Sequence, residues 1–196
     1  MSPRLPPLPP GEWPAEMRDA LAALLPPDAR HPLPERRDDS PRGLNILGLL
    51  ANHPQLALAY HTFNGHLLFN TSLSIRQREI VVLRVGALRD AEYEWLQHKV
   101  QALDAGMTLA EVDASREGPD AEVWSPVEAA LVRATDELVA DARISDETYA
   151  VLAAELDAHQ LMDLVFTVGA YDVLAMAMRT FDLEVDDDLA VWRTKP

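Results

Sequence analysis

Signals that start α-helices recur along this chain from Ser74 onward, and they constrain its fold more than any other feature. In a capping box, a Ser or Thr is followed three residues later by Glu or Gln, and the two side chains satisfy free amides at a helix N-terminus. The three boxes pair Ser74 with Gln77, Thr108 with Glu111, and Ser125 with Glu128. The chain has only 8 glycines, and no alternating apolar pattern bounded by turns indicates a strand. The sequence therefore predicts an all-α fold, a packed helical bundle of about eight helices.

Apolar residues at helical spacing fill the segments between these signals. The most apolar run, Leu161 to Met178, carries Asp163 and Asp172, which favours a buried core helix over a membrane span. The expected helices run from Ile75 to Arg89, from Asp90 as a cap to about Gly106, from Thr108, from Pro126 to about Arg143, from Ser145, and from Gln160 to about Phe181.

Proline separates the beginning of the chain from the rest. Eleven of the 15 prolines fall in the first 41 residues, and one short helix, about Pro14 to Leu25, is expected among them. We predict an N-terminal arm over residues 1–41, a helical domain over 42–185, and a solvated acidic tail over 186–196. The arm either lies over the domain or a partner subunit, or is a disordered tail.

Composition excludes several classes of function. The formal net charge of -15 would repel a phosphate backbone or an anionic membrane surface, so neither a nucleic acid nor a membrane is expected as a partner. The chain contains no cysteine, which excludes disulfides, thiolate metal sites and cysteine nucleophiles. Its first residues lack the apolar segment of a secretory signal. The expected location is the cytoplasm.

One carboxylate falls inside the most apolar of the expected helices. The helix from Ile75 to Arg89 is apolar nearly all round, so it should be central, and Glu79 shares a side with Val82. A carboxylate there is costly unless it is paired or protonated. Burial should therefore raise its pKa, or a partner should restore it. Arg84 lies on the opposite side of the same helix.

The next helix supplies possible partners for this carboxylate. Glu94 and His98 lie one turn apart, close enough to interact. Because one or two residues connect the two helices, antiparallel packing should bring Glu79 towards the pair. Two carboxylates and an imidazole in apolar surroundings are typical of an acid–base relay, in which His98 transfers a proton and Glu94 orients the ring. Glu79 would be a second acid–base group.

Two other interpretations fit the same three residues. Glu–His pairs one turn apart also occur as structural contacts without a catalytic role. Two carboxylates and a histidine can bind iron or zinc, but the second Glu-x-x-His set of a helical di-metal site is missing. We therefore predict neither a metal nor a cofactor.

A resemblance becomes specific at these residues. The segment RQREIVVLRVGALRDAEYEWLQHKVQALDAGMT, Arg76 to Thr108, resembles the signature region of the carboxymuconolactone decarboxylase family, which includes the alkylhydroperoxidase D-like (AhpD-like) proteins. The resemblance rests on an Arg-x-Arg-Glu opening, a Tyr-Glu-Trp-x-x-His core and an Ala-x-x-Ala-Gly exit. The upstream stretch HPQLALAYHTFNGHLLFNTSLS resembles the preceding helix of that family. The match should span about Leu44 to Asp182.

The resemblance implies an all-α fold and a homo-oligomer, often a trimer or a hexamer. The peroxidase branch uses a glutamate followed by Cys-x-x-Cys-x-x-x-His. The same spacing places Glu79 at the glutamate and His98 at the histidine, with Ala91 and Glu94 at the two cysteine positions. Without cysteine the chain cannot be a thiol peroxidase.

What remains resembles the decarboxylase branch, which implies a cofactor-independent acid–base lyase or isomerase for a small carboxylic or lactone substrate. The expected catalytic residues are His98, Glu94 and Glu79. The expected substrate-binding residues are Tyr60, His61 and Arg84. A developing enolate oxygen needs a nearby cation or donor, and structural ion pairs are the expected role of Arg76 and Arg78. The alternatives are a non-catalytic ligand-binding or structural member, and a metal-dependent enzyme.

Overall fold

The computed structural model describes residues 2–31 and 39–195. Over these ranges every regular element is helical, which confirms the predicted all-α class. The helices are α1 Met17–Leu24, α2 Leu44–Leu50, α3 Pro54–Gly65, α4 Ile75–Leu88, α5 Glu92–Asp104, α6 Leu109–Glu117, α7 Pro126–Asp141, α8 Asp146–Glu155, α9 Ala158–Thr180 and α10 Asp187–Ala190. Two 3₁₀ turns, Pro10–Glu12 and Val191–Arg193, and a π-helical turn, His66–Asn70, complete the set.

The chain divides into two compact units. The first joins Met1–Thr71 to Ala177–Lys195, and the second comprises Ser72–Met176. Helix α9 begins in the second unit and ends in the first. The predicted arm and acidic tail thus both belong to the first unit, while the domain boundaries at residues 41 and 185 stay a prediction.

The described part of the N-terminal arm packs in the first unit through helix α1. Helix α1 contacts α3, and its buried Met17 lies in one apolar cluster with Ala57. A Cβ on Gly65 would lie 2.7 Å from the carbonyl oxygen of Leu24, so only glycine lets the arm approach α3 this closely. These contacts pack the arm on α3 within the first unit. Its packing on the rest of the domain or on a partner subunit stays a prediction. Residues 32–38, also part of the predicted arm, lie outside the described residues.

The prediction that the acidic run near the C-terminus is a solvated tail is wrong. Asp186 accepts a hydrogen bond from the backbone N–H of Asn45 at 3.0 Å, at the start of α2, where a carboxylate is favoured. Asp188 pairs with Arg42 at 3.4 Å. Beyond them the side chain of Trp192 is buried. These acids therefore have partners from far along the chain, which no local pattern indicates.

Helix α4 is the centre of the second unit. Every residue from Arg78 to Gly86 is buried, and α4 contacts α5, α6 and α7, while α7 also contacts α8. The close approach of α4 and α5 requires a small residue, because a Cβ on Gly86 would lie 3.3 Å from the Cβ of Trp95. Central packing of this helix was expected from its apolar surface, and it places Glu79 inside the core.

The predicted helix starts agree with the structure in most places. All three capping boxes are formed, and Ser145 caps α8. Asp90 does not cap α5, so that prediction is wrong. It has a positive φ of 50° in the turn after α4, and the N-cap of α5 is Ala91 without a side-chain cap. The tight turn needs a residue that tolerates left-handed backbone, which Asp does.

Helix α9 is long and apolar enough to cross a membrane by length and composition, and 44% of its most apolar window is buried. Core helices of soluble proteins pass the same test, so this single helix is weak evidence for a span. Its exposed side is apolar along much of its length.

Candidate active site

Glu79 is the centre of a buried group of charged side chains. Its carboxylate is fully buried and uses each oxygen for a different partner. Oε1 accepts from Arg78 Nε at 2.9 Å and from a terminal guanidinium nitrogen at 2.5 Å. Oε2 lies 2.7 Å from Nδ1 of His98 on α5. The packing of α4 against α5 therefore links a cation, a carboxylate and an imidazole in one line.

The partners of Glu79 decide its charge. Burial alone would raise the pKa of this carboxyl, but Arg78 and His98 together outweigh burial and hold the pKa below its ordinary value. The pKa of Arg78 is raised, since the nearby Glu79 and Tyr171 outweigh the effect of burial on the guanidinium. Glu79 and Arg78 are thus both ionised at neutral pH. This pair confirms the structural ion pair expected for Arg78, and Arg76 pairs with Glu111 and Glu128.

An ionised Glu79 fixes the tautomer of His98. A carboxylate can only accept, so Nδ1 must carry the proton that this hydrogen bond needs. Nε2 is then the ring atom that can take or give a proton, and it has no hydrogen-bond partner among the described residues. The ring of Tyr171 on α9 meets the His98 ring edge-on, with centroids 4.9 Å apart. Three helices therefore hold the imidazole in one orientation.

Glu94 does not orient His98, so the predicted role of that pair is wrong. Both carboxylate oxygens of Glu94 are buried and have no hydrogen-bond partner in the described structure. Burial, reinforced by the charge of Asp172, raises the pKa of Glu94 well above its ordinary value. Spacing of one turn puts Glu94 beside His98 along α5, but the carboxylate that reaches Nδ1 comes from α4.

Two further buried polar atoms, on α5 and α9, lack hydrogen-bond partners among the described residues. They are Oγ1 of Thr167, which is fully buried on α9, and Oε1 of Gln97 on α5. Thr167 precedes Tyr171 by one helical turn, so both lie on the side of α9 that meets His98. Asp172, in contrast, has a partner, since it forms an ion pair with Arg89.

The three residues expected to bind substrate lie in other surroundings. The Arg84 guanidinium pairs with Asp136 at 2.5 and 3.0 Å and donates to the carbonyl of Ser115 at 3.0 Å. Tyr60 and His61 belong to α3 in the first unit, where His61 Nδ1 lies 3.0 Å from the carbonyl oxygen of Ala20. Burial lowers the pKa of His61 despite that contact. Their part in substrate binding stays a prediction.

Sequence reasoning missed two members of the site. Arg78 was expected in an ion pair, but adjacent helical residues do not normally face each other, so Glu79 was not its obvious partner. Tyr171 gave no signal beyond an aromatic residue in an apolar helix. Only the packing of α9 on α5 shows that its ring meets the imidazole.

The residues do not fit the metal-binding alternative. Within residues 2–31 and 39–195, no group of three or more His, Asp or Glu side chains is placed to hold a metal ion. Both oxygens of Glu79 are already engaged by Arg78 and His98. A ligand set of Glu79, Glu94 and His98 is therefore not formed.

One protein-family model matches the part of the chain that contains the site. The model of the carboxymuconolactone decarboxylase family matches residues 54–137, a range that contains Glu79, Glu94 and His98. A search of curated proteins finds no match.

Solved structures share the fold at low sequence identity. The debrominase Bmp8 in complex with 2,3,4-tribromopyrrole has 13% identity and a TM-score of 0.74, covering 98% of this chain and 97% of its own. An uncharacterised peroxidase-related protein from Ralstonia eutropha with an alkylhydroperoxidase AhpD core has 16% identity and a TM-score of 0.67, covering 87% and 100%. Over residues 54–137 the chain is thus similar to the carboxymuconolactone decarboxylase family, and it shares the AhpD-like fold of these solved structures, but it contains no cysteine.

Proposed function

We propose that this protein is a cofactor-independent acid–base lyase or isomerase for a small carboxylic or lactone substrate, with His98 as the proton-transfer group. One observation carries the proposal: an ionised Glu79, itself held by Arg78, binds Nδ1 of His98 and leaves Nε2 for chemistry. A positioned imidazole is the most common general acid–base catalyst in proteins. The proposal places the enzyme in the cytoplasm with a small molecule as substrate.

Thiol chemistry is not available to this chain. It has no cysteine, and Glu94 stands where the redox branch of the family has its second cysteine. The names of the structural relatives, a debrominase and a peroxidase-related protein, therefore do not supply its reaction. A net charge of -15 supports the absence of a nucleic acid or an anionic membrane among the partners.

The alternative is a non-catalytic ligand-binding or structural member of the family. The same contacts support this alternative, because Glu79 accepts hydrogen bonds from both Arg78 and His98 inside the core and could serve packing alone. The two functions differ at Nε2: catalysis requires this atom to exchange protons with a bound molecule, whereas a structural histidine needs only Nδ1.

The first experiment measures turnover. We expect carbon dioxide release from 4-carboxymuconolactone or a related β-keto or lactone acid, or deuterium exchange next to the carbonyl of a lactone, followed by NMR. His98→Ala should lower kcat/KM at least about 100-fold, since general acid–base catalysis contributes roughly 10²–10⁴-fold. His159→Ala, at an exposed histidine, is the matched control and should retain wild-type activity. Equal turnover by wild type and His98→Ala would contradict the proposed role of His98.

We further propose that the protein is a homo-oligomer that pairs through α9. Five apolar side chains along one side of this helix are 41% to 57% exposed: Met162, Val165, Phe166, Val173 and Met176. An exposed apolar stripe of this length marks an interaction surface more often than free solvent contact.

The stripe is symmetric about Gly169, which supports a second copy as the partner. Val165 and Val173 lie four residues to either side of Gly169, and Met162 and Met176 lie seven. A two-fold axis at Gly169 would set two antiparallel copies of α9 with like residues facing each other, as an isologous contact requires. No described residue outside the helix's own backbone lies within 4 Å of a Cβ built on Gly169, which leaves room for another helix. Such pairing suits a hexamer with two-fold axes better than a trimer.

Phe166→Glu should dissociate this contact. A central aromatic residue typically contributes about 2 kcal/mol or more to an interface, and the two-fold axis would place two new carboxylates in it. We expect the mass in sedimentation velocity to fall at least to half that of wild type. Val123→Glu, which charges an equally exposed apolar residue outside α9, should leave the mass unchanged. An unchanged mass for Phe166→Glu would contradict pairing through α9.

A further inference from the structure

Glu94 is the one acidic side chain of the site for which the structure provides no partner. It is one turn before His98, so both side chains project from the same side of α5. On α9, Tyr171 contacts the His98 ring. The unpartnered hydroxyl of Thr167 lies one turn from Tyr171 on the same side of α9. Both the helix that carries His98 and the helix that contacts its ring thus have buried polar atoms without partners among the described residues.

Buried polar atoms without partners are uncommon in native proteins. Each loses its hydrogen bonds to water on folding without a replacement, and each calls for an explanation such as a bound molecule. Here the oxygens of Glu94 and Oε1 of Gln97 belong to α5, which also carries His98, and Oγ1 of Thr167 belongs to α9, which carries Tyr171. A small ligand with a carbonyl group would give the Glu94 carboxyl a hydrogen-bond partner.

The charges around these atoms favour an uncharged ligand. Arg78 is bound to Glu79, and Arg89 is bound to Asp172. The charge of Asp172 also acts on Glu94, whose pKa is raised first by burial and then by this neighbour. A carboxylate placed beside Glu94 would therefore meet further negative charge, while both nearby guanidinium groups already have a carboxylate.

We propose that Glu94, as an uncharged carboxylic acid, donates a hydrogen bond to the carbonyl oxygen of an uncharged ketone or lactone while His98 moves a proton on the neighbouring carbon. This inference rests on the proposed function and names the missing electrophile of that site. A neutral carboxylic acid in an apolar site can stabilise an enolate in this way.

The reaction balances without any further reactant. The substrate carries a C=C double bond one carbon away from the carbonyl carbon's neighbour, as a β,γ-unsaturated ketone or lactone does. Nε2 of His98 takes a proton from the carbon between the carbonyl and the double bond, the C–H bond breaks, and its electron pair moves to the carbonyl oxygen as a dienolate. The Glu94 hydroxyl donates its hydrogen bond to that oxygen. His98 then returns the proton to a different carbon of the conjugated system, and the carbonyl re-forms. The net result is an isomerisation, so the inference favours an isomerase over a lyase.

A binding experiment tests this role without relying on turnover. Phenol serves as the enol analogue, benzoate as the matched carboxylate and toluene as the matched apolar ring. Dissociation constants are measured at pH 7 by ¹H–¹⁵N NMR titration of wild type, Glu94→Gln and Glu94→Leu. We expect wild type to bind phenol at least 10-fold more tightly than benzoate or toluene. Glu94→Leu should reduce phenol affinity to that of toluene, and Glu94→Gln should keep part of it through its amide donor.

The pH dependence gives a second readout that a structural role would not move. Raising the pH should weaken phenol binding to wild type as Glu94 ionises, but not to Glu94→Gln. The other charged groups facing the site, Asp172 and Arg89 together with Glu79 and Arg78, are the same in both proteins. A protonated-carboxyl band in the infrared spectrum at pH 7 should disappear in Glu94→Gln.

The outcomes separate this inference from the proposed function. Equal affinity for phenol and benzoate, or phenol affinity unchanged in Glu94→Leu, would overturn the role of Glu94 even if His98-dependent turnover is found. Glu94-dependent binding of phenol without turnover of any lactone or ketone would support the donor and count against the proposed catalysis.

Discussion

Glu79→Gln should lower the free energy of unfolding by about 3–5 kcal/mol, because it removes the carboxylate that pairs with the buried guanidinium of Arg78. Both side chains are almost fully buried in the structure, at 7% and 0% exposure, so water cannot replace the lost carboxylate. The same change removes the ionised acceptor at Nδ1 of His98. Urea denaturation at pH 7 measures the stability, and turnover or ligand binding measures the effect on the imidazole.

A double variant distinguishes loss of the charge pair from general damage to the core. Arg78→Met combined with Glu79→Leu removes both charges, and replacing a buried pair by apolar side chains is often close to neutral in stability. We expect the double variant to be more stable than Glu79→Gln alone. If Glu79→Gln stays within about 1 kcal/mol of wild type, the carboxylate does not balance Arg78 as the contacts indicate.

Glu94→Leu should have the opposite effect and raise the free energy of unfolding by about 1–3 kcal/mol. The wild-type carboxyl is buried without a partner, and such a group carries a penalty of this size, which an apolar side chain of similar volume does not. Urea denaturation at pH 7 measures the gain. Loss of stability in Glu94→Leu would show that Glu94 makes a favourable contact in the folded protein.

The effect of Glu94 on stability should also depend on pH. Burial, and then the charge of Asp172, raise the pKa of Glu94 in the folded protein well above its ordinary value of 4.5. Between the ordinary and the raised pKa the folded state therefore binds one more proton than the unfolded state. Wild-type stability should therefore fall as pH rises through this window. Glu79 has a lowered pKa, so its contribution is present at neutral pH and is lost as the solution becomes acidic. Thermal unfolding is measured for wild type and Glu94→Gln from pH 4 upward. The difference in stability between wild type and the variant should become less favourable to wild type as the pH rises.

The sequence was informative where structure depends on neighbouring residues. A capping box such as that of Thr108 and Glu111 lies within one turn, so its chemistry can be read directly and the structure confirms it. The apolar surface of the helix around Glu79 likewise predicted its central position. The fold class follows from many such local signals that agree with one another.

The contacts that define the site depend on packing between helices and could be predicted only in part. Local spacing favoured Glu94 as the partner of His98, whereas the crossing of α4 and α5 brings Glu79 to Nδ1 instead. The partner of Asp186 lies at Asn45, far away in the chain. Periodicity gives the side of a helix on which a residue lies, but it does not give the rotamer or the crossing that selects its partner.

The ion pairs of Arg76 couple the local unfolding of three helices. Its guanidinium binds Glu111 and Glu128 at 2.6 Å each, and these glutamates close the capping boxes of α6 and α7. One cation at the start of α4 therefore holds the first turns of two other helices. Glu111 has its pKa lowered to about 2, first by the hydrogen bond from Arg76, so the connection persists in moderately acidic solution. The three helix starts should fray as one cooperative unit, with amide hydrogens that exchange together.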